Sequence, residues 1–260
     1  MNPILTSLSP RGVLTLTLNR PEKHNALDAG TLDALHAALL DAQANEAVRV
    51  IVLTGAGASF CAGADIGHMR SMRDANEQEN LDDARRVAQC MRALDEVDRP
   101  VIARVNGNVF GGGVGLVACC DIAIAVQSAK FALSEVKLGL VPATISPFVV
   151  AAIGQRQARR LFITAAAFSA SEAQAIGLLH FVVAPEKLDA AVEETTAMIL
   201  QNGPLATREA KRLVRAVVGR DDRDMLQEET SQLLGKLRAS DEGKEGLSAF
   251  LEKRKPNWAE

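Results

Sequence analysis

The segment from Val105 to Asp121, VNGNVFGGGVGLVACCD, limits the possible folds more than any other part of the chain. A strand-like apolar run, VIARV, leads into it, a second run, DIAIAV, leads out of it, and five glycines lie between them. A backbone so rich in glycine must turn tightly or be approached closely by another group. Glycines that open a short helix also present unbonded N–H groups, at the helix end where the dipole favours negative charge. The segment is therefore the predicted functional site.

Dinucleotide binding and close helix packing account for these glycines less well. Gly113, Gly115 and Ala118 fit the G-x-G-x-x-A pattern of dinucleotide-binding proteins, with Glu135 about where the ribose-binding acid would lie. However, only residues 116–120 separate the last glycine from the next strand, whereas a crossover helix needs about ten residues. Close packing of a helix on a sheet would account for one or two glycines, but not for three in succession.

A second glycine-rich loop lies upstream, at residues 53–65, and its sequence is LTGAGASFCAGAD. It also follows a β-branched run, RVIVL, and ends in small residues. Two such loops, each at the end of a buried strand, can direct two backbone N–H groups at one point. Two convergent donors aimed at a developing negative oxygen form an oxyanion hole.

The pair SFCAGAD and NGNVFGGGVGL resembles the signature of the crotonase (enoyl-CoA hydratase/isomerase) family, and the resemblance spans essentially the whole chain. Members of that family polarise an acyl-CoA thioester carbonyl with two backbone N–H groups. The resemblance assigns these N–H groups to Ala64 and Gly112. It also implies contacts to the acyl-CoA, at the following positions: Lys23, Ala26, Ala62, Asp65, Ile66, Gly111, Phe250 and Lys253.

The same resemblance implies an α/β fold, a crotonase-like spiral of ββα units with a C-terminal helical oligomerisation region. The expected boundaries are 1–202 for the core with the acyl-CoA site and 203–260 for the helical trimerisation region. We expect a homotrimer or a dimer of trimers. In such an assembly Phe250 and Lys253, on adjacent turns of one helix, would reach the CoA nucleotide bound mainly by a neighbouring subunit. CoA is part of the substrate, and no separate cofactor and no metal is implied.

Hydratases of this family usually carry two glutamates, and this chain matches the pattern at one of the two positions. Glu135 matches, and its neighbours Leu133, Val136 and Leu138 predict apolar surroundings. Such surroundings would raise the pKa of its carboxyl and let it exchange protons near neutrality. The other position holds Gly115. A lone carboxylate suits a double-bond isomerase, although one glutamate can in principle also serve a hydratase.

The sequence around these positions, FGGGVGLVACCDIAIA with SEVKLGLVPATISPFVVAAIG, most resembles the bacterial methylglutaconyl-CoA and isohexenylglutaconyl-CoA hydratase branch. The resemblance favours a hydratase acting on a branched or carboxylated enoyl-CoA such as 3-methylglutaconyl-CoA. The alternatives are an enoyl-CoA delta-isomerase that uses Glu135 alone and a non-catalytic acyl-CoA-binding protein. A distal carboxylate would need a cationic partner. His68, Arg70 and Arg73 are candidates, although a solvated helix face explains each of them as well.

Composition excludes several other classes of protein. The 260 residues, 48% of them hydrophobic, can bury one full core. A net charge of −3 gives no electrostatic reason to expect nucleic acid or an anionic membrane as a partner. The N-terminal segment lacks the charged and apolar regions of a signal peptide. The four cysteines form no metal-binding or disulfide pattern, so we expect a cytoplasmic protein.

The order of predicted elements supports α/β layering. PILTSL and GVLTLTLN predict a hairpin, and Asp28 caps a helix over 29–45. Residues 66–97 are helical in period, with MRSMRDANEQEN as a mobile surface section. KFAL and LLHFVV predict strands, IGQRQARRLFI and SASEAQAIGL predict short helices, and 186–201 predicts a further helix. From Gly203 onward the pattern is helical throughout.

Overall fold

A computed structural model describes residues 2–259, and it begins with the predicted hairpin. Strand β1 (Ile4–Leu8) pairs antiparallel with β2 (Val13–Leu18), with Ile4 opposite Leu18. Side chains of β2 alternate between half-buried and buried, as expected for a strand with one face on the core.

The hairpin forms the edge of a six-stranded sheet whose order is β1-β2-β3-β5-β7-β10. Its remaining strands are β3 (Val50–Gly55), β5 (Val101–Val105), β7 (Ile122–Val126) and β10 (Phe181–Val183). From β2 onward neighbouring strands are parallel. Strand β3 is buried along its entire length, which explains its continuous run of β-branched and apolar residues.

A smaller sheet holds four short strands, of which local patterns predicted β8 alone. Its order is β4 (Ser59–Cys61), β6 (Asn108–Phe110), β8 (Lys130–Ala132) and β9 (Phe168–Ser169). β4, β6 and β8 each follow a strand of the large sheet, and helical segments come next in the chain. The predicted spiral of ββα units is therefore confirmed.

Helices cover the two sheets and form the C-terminal region. They are α1 (Ala29–Ala44), α2 (Ile66–Arg73), α3 (Glu77–Glu96), α4 (Gly112–Ala118), α5 (Ser146–Thr164), α6 (Ala170–Ala175), α7 (Leu188–Leu200), α8 (Pro204–Val217), α9 (Arg223–Ala239) and α10 (Asp241–Leu251). Short 3₁₀ turns lie at Pro21–Lys23, Glu135–Leu138, Pro185–Lys187 and Asn257–Ala259. Asp28 caps α1 as predicted, since its side chain accepts the N–H of Thr31. Within the described chain, no helix is long and apolar enough to cross a bilayer.

Two helical regions differ from the prediction. The section MRSMRDANEQEN belongs mostly to α2 and α3, because only 74–76 lie between the two helices. Asn76 and Glu79 form a reciprocal capping box there, which fixes the start of α3. Helix α5 is longer than IGQRQARRLFI and contains a break at Gly154, whose φ is 73°.

The C-terminal helices start at Pro204, close to the predicted boundary at 202/203, and α8 is tied to the body by ion pairs. The Lys211 ammonium lies 2.8 Å from an Asp121 carboxylate oxygen, and Arg212 pairs with Asp98. At the other end of this region α10 leaves Phe250 81% exposed. The division of the chain into two regions stays a prediction.

Candidate active site

Two backbone segments, residues 23–27 and residues 62–66, lie side by side and form one wall of the site. Ala62 donates its N–H to the His24 carbonyl at 3.0 Å, and Leu27 donates to Gly63 at 2.7 Å. The loop containing His24 is held from within by Asn25, which is fully buried. Its side-chain amide donates to the carbonyls of Ala56 and Ser59. The resulting wall carries the predicted contact residues Lys23, Ala26, Ala62, Asp65 and Ile66.

Ala64 forms an isolated parallel bridge with Leu27 in this wall. Leu27 bonds to the residues on either side of Ala64, donating to Gly63 and accepting the N–H of Asp65 at 2.8 Å. In this pattern the N–H of Ala64 itself points away from Leu27. Within residues 2–259 that N–H has no protein acceptor. It is therefore available to a bound group.

The second donor is the first residue of α4. The N–H of Gly112 has no intrahelical acceptor because of its position. The preceding residue, Gly111, has φ 48° and ψ −120°, a combination that side-chain-bearing residues rarely adopt. Gly111 also donates to the Ala132 carbonyl at 2.9 Å, which anchors the start of the helix to β8.

Both donors belong to residues that line one cavity of about 170 Å³. The other lining residues include the candidate proton carrier Glu135 and one polar pair, His68 and Asp83. The full lining is Leu27, Leu32, Ala64, His68, Asp83, Val87, Gly112, Glu135, Val141, Pro142, Thr144 and Ile145. The three residues predicted to be catalytic thus lie on one cavity.

Glu135 has the environment of a proton carrier. Its Oε2 is the one buried side-chain oxygen or nitrogen without a hydrogen-bond partner in the described part of the chain. Burial raises the pKa of Glu135 above its usual range, against a smaller opposing hydrogen bond from its own backbone N–H. A Cβ on Gly111 would lie 3.3 Å from Oε1, so glycine leaves room for this carboxyl.

The prediction of apolar surroundings for Glu135 is right, but its source in the sequence is partly wrong. Leu133 is buried, whereas Leu138 is 59% exposed because the turn Glu135–Leu138 directs it outward. The apolar lining comes instead from distant residues, including Leu27 and Ile145.

Gly115, at the position where two-glutamate hydratases carry an acid, faces Ile145. A Cβ added at Gly115 would lie 2.3 Å from Ile145 Cγ2 and 3.4 Å from Met91 Sδ. Ile145 is 2% exposed and lies at the N-terminus of α5. The space for a second carboxylate is therefore already filled by an apolar side chain.

Asp65 connects the predicted contact residues to each other. It caps α2 by accepting the N–H groups of Gly67 and His68, and it pairs with Arg20 at 2.8 Å and Lys23 at 3.1 Å. Burial alone would raise its pKa, but the hydrogen bonds from His68, Lys23 and Arg20 outweigh burial and hold the pKa at about 2.

Three candidate cations follow the glycine-rich loop at residues 53–65, and of these only His68 lines the cavity. Arg70 is exposed, and Arg73 is exposed and pairs with Asp74. His68 Nε2 lies 2.9 Å from an oxygen of Asp83 on α3. Sequence reasoning missed Asp83, because the segment ENLDDARR is typical of a solvated helix face.

The remaining predicted contacts lie at different places. Ala26 is buried and Ala62 half-buried in the wall beside Ala64, whereas Ile66, the first residue of α2, is 69% exposed. Phe250 lies on a separate groove beside Trp258, away from the cavity. Lys253 lies beyond the end of α10 with φ 55°, so its predicted place in the same helix as Phe250 is wrong.

Comparisons with known proteins found relatives that match nearly the whole chain. The model of the enoyl-CoA hydratase/isomerase family matches residues 9–260. The crotonyl-CoA hydratase of Syntrophomonas wolfei is 37% identical over 246 residues, 94% of this chain and 93% of that protein. The mevalonyl-coenzyme A hydratase of Aspergillus fumigatus is 32% identical over 259 residues, 98% of this chain and 94% of that protein. An enoyl-CoA hydratase from Shewanella pealeana has a crystal structure similar to this chain, with a TM-score of 0.94 and 39% identity. The match covers 98% of this chain and 96% of that protein.

Proposed function

The chain belongs to the enoyl-CoA hydratase/isomerase family and is an enoyl-CoA hydratase, and we propose that it adds water to the 2,3-double bond of a branched or carboxylated enoyl-CoA through an enolate. The observation that carries this proposal is that three residues line one cavity. They are Ala64 and Gly112, each with an N–H that has no acceptor by its position, and Glu135 with its buried carboxyl.

The two N–H groups would bind the thioester oxygen. When water adds to C3, negative charge develops on this oxygen, and Ala64 and Gly112 stabilise it without reorganising. Each such donor contributes about 10²–10³ to the rate. Gly111 supports both the oxyanion hole and the proton carrier, because its conformation starts α4 and its missing side chain leaves room for Glu135.

Glu135 would deliver the proton to C2 of the enolate. Its raised pKa keeps the carboxyl protonated at a pH where an exposed glutamate has already ionised. The proton donor is present below the raised pKa and is lost as the pH rises through it. Hydration should therefore decline on the alkaline side of that pKa.

We propose that the CoA part of the substrate lies along the wall formed by Lys23, Ala26, Ala62 and Ile66. Asp65 would contribute by holding the Lys23 ammonium in place, since the two are 3.1 Å apart. A homotrimer or dimer of trimers would bring Phe250 and Lys253 of a neighbouring subunit to the nucleotide. The exposure of Phe250 and Leu251 in the single chain supports such an interface.

The finer proposal for the acyl group is a short enoyl chain branched at C3, such as 3-methylglutaconyl-CoA. The relative named mevalonyl-coenzyme A hydratase acts, by its name, on an acyl group with that branch. Apolar lining residues such as Leu27 and Ile145 suit a methyl branch. The cation candidate on the cavity, His68, is already bonded to Asp83. We therefore expect the branch to contribute more to binding than the distal carboxylate.

The second candidate function is an enoyl-CoA delta-isomerase. It is favoured by one observation, that Ile145 fills the space where a second carboxylate would lie. Glu135 alone would then remove a proton and return it on the same face of the acyl chain. Conversion of a 3-enoyl-CoA into the 2-enoyl isomer, without hydration, would identify this activity.

We also propose a cytoplasmic location. The four cysteines are buried and unpaired in the described part of the chain. Chains that keep free thiols are typical of reducing compartments. Fractionation of the cells that produce the protein would test this point.

A substrate panel tests the function. Crotonyl-CoA, 3-methylcrotonyl-CoA, 3-methylglutaconyl-CoA and a 3-enoyl-CoA would be followed through the absorbance of the enoyl thioester. We expect hydration, with kcat/KM higher for both branched substrates than for crotonyl-CoA. A clear preference for crotonyl-CoA would contradict the branched substrate, and binding of every thioester without turnover would indicate a non-catalytic protein.

A further inference from the structure

We propose that His68, oriented by Asp83, is the second proton-transfer residue of this enzyme and acts on the water that adds to C3. This role rests on the proposed hydratase function and deepens it. Hydration takes one proton from water and gives one proton to C2, and two groups can divide these roles. Glu135 accounts for one of these groups, and Ile145 fills the place of a second glutamate.

His68 and Asp83 are the other titratable residues on the cavity lined by Glu135, Ala64 and Gly112, within the described residues. Both side chains are largely buried, with 17% and 19% of their surface exposed. They come from different helices, α2 and α3. The cavity therefore has two titratable sites besides its oxyanion hole, the Glu135 carboxyl and this imidazole–carboxylate pair.

The hydrogen bonds of the pair define which nitrogen can react. A carboxylate oxygen only accepts, so His68 Nε2, at 2.9 Å from Asp83 Oδ1, carries the shared proton. The same oxygen accepts a bond from Arg86 Nη1 at 3.3 Å. In the neutral imidazole Nδ1 is then the nitrogen with a lone pair, and in residues 2–259 it has no partner. In hydrolytic triads a carboxylate likewise fixes the tautomer of a histidine, although there it bonds Nδ1 and leaves Nε2 to react.

The pair is fixed relative to the oxyanion hole from both sides. The His68 N–H donates to Asp65 at 3.1 Å, and Asp65 directly follows the hole residue Ala64. On the other side Arg86, which bonds to Asp83, also donates to Asp33 of α1 at 3.0 Å. These contacts hold the imidazole through α1, α2 and α3, so that its position does not depend on one flexible side chain.

The imidazole has both acidic and basic groups around it. Asp83 is its direct partner, Arg86 balances the charge of Asp83, Asp33 lies behind Arg86, and Glu135 lines the same cavity. With Glu135 protonated, as its burial favours, the cavity holds one acid and one base before water attacks.

In the hydration step, His68 Nδ1 takes a proton from water while the oxygen forms a bond to C3. The electron pair of the C2–C3 double bond passes to the thioester oxygen in the hole. The Glu135 carboxyl then gives its proton to C2, and the thioester carbonyl re-forms. After product release the imidazolium loses its proton to solvent and the Glu135 carboxylate gains one. The net change is the addition of one water molecule.

The test separates chemistry at C3 from chemistry at C2. A saturated thioester such as butyryl-CoA cannot be hydrated, but its C2 proton can exchange with D₂O through the hole and Glu135, which NMR detects. The variant His68→Gln should lose on the order of 10²–10⁴ in hydration rate while it keeps exchange at the wild-type level. Asp83→Asn should act in the same direction. Glu135→Gln should lose both activities.

His36→Gln is the matched control, since His36 is a half-buried helical histidine on the groove between α1 and α3. It should retain both activities. Retained exchange in His68→Gln also proves that this variant is folded with an intact hole.

Two outcomes would overturn the role of His68 but leave the hydratase function in place. One is wild-type hydration by His68→Gln, and the other is an equal loss of hydration and exchange, which would make His68 a support for the hole. A wild-type enzyme that exchanges the C2 proton but hydrates no enoyl-CoA would instead remove the proposed hydratase function, and the role of His68 with it.

Discussion

Gly115→Ala tests whether the place of the second glutamate is filled rather than merely vacant. The new Cβ would lie 2.3 Å from Ile145 Cγ2 and 2.8 Å from Ile145 Cβ, so the two side chains cannot both keep their positions. Alanine in place of glycine within a helix stabilises by about 1 kcal/mol. Overpacking a core costs about 1–3 kcal/mol. We therefore expect a net loss of about 0–2 kcal/mol in the free energy of unfolding.

The control is Gly235→Ala in α9, because a Cβ there meets nothing within 4 Å. It should stabilise by up to about 1 kcal/mol. Urea unfolding at fixed protein concentration measures both variants, and an unchanged m-value shows that the midpoints report stability.

A double-mutant cycle with Ile145→Ala sharpens this test. That substitution alone removes a buried side chain and should cost about 2–5 kcal/mol. In the presence of Gly115→Ala the loss should be smaller than the sum by about 0.5–3 kcal/mol, because the two side chains compete for one space. Stabilisation by Gly115→Ala equal to that of Gly235→Ala, with additive effects in the cycle, would refute the reasoning. If Ile145 fills this space as the contacts indicate, Gly115→Glu should fail to restore a two-acid site on any substrate.

Three other substitutions or deletions test the site and its surroundings. Gly112→Val should lower kcat/KM by at least about 10²–10³, the effect of one lost oxyanion donor, because its Cβ would lie 3.2 Å from Leu27 Cδ1 on the cavity wall. Wild-type kinetics in a variant with normal melting temperature would oppose the hole assignment. Asp65, with its pKa lowered to about 2, stabilises the fold above the unfolded pKa of 3.8 by about 2 kcal/mol, and this contribution is lost as the pH falls toward 2. Asp65→Asn should therefore be less stable at pH 7, with the gap closing in acid unfolding curves. A constant gap down to pH 2 would contradict that sign. Deleting residues 247–260 should raise KM for CoA esters and weaken assembly, but leave pantetheine esters much less affected. An oligomeric truncated protein with unchanged KM would refute the shared site.

The long elements of the fold could be predicted from the sequence because their patterns are local. The alternation in GVLTLTLN predicts β2, and Asp28 marks the start of α1. Strands β4 and β6 were missed, since each has three residues within a glycine-rich loop and forms by pairing with distant strands, β4 with β6 and β6 also with β8. Their order in the smaller sheet depends on contacts between distant segments, which no local pattern contains.

The site shows the same division. The placement of Ala64, Gly112 and Glu135 on one cavity could be predicted because their motifs are contiguous in sequence. The filling of the Gly115 space by Ile145 could not, because that contact joins two helices. Asp83 is likewise one charge among many on α3, and only its 2.9 Å contact with His68 distinguishes it. Pairwise contacts across elements thus account for what the motifs left open.

The comparison of wild-type protein with Glu135→Gln tests most directly whether Glu135 is the proton carrier. Hydration of a branched 2-enoyl-CoA would be followed by the absorbance of the enoyl thioester, and thioester binding by calorimetry. We predict a loss on the order of 10²–10⁴ in kcat with an unchanged dissociation constant, because the amide keeps the shape of the carboxyl but cannot supply its proton. Hydration by Glu135→Gln at the wild-type rate would contradict this role.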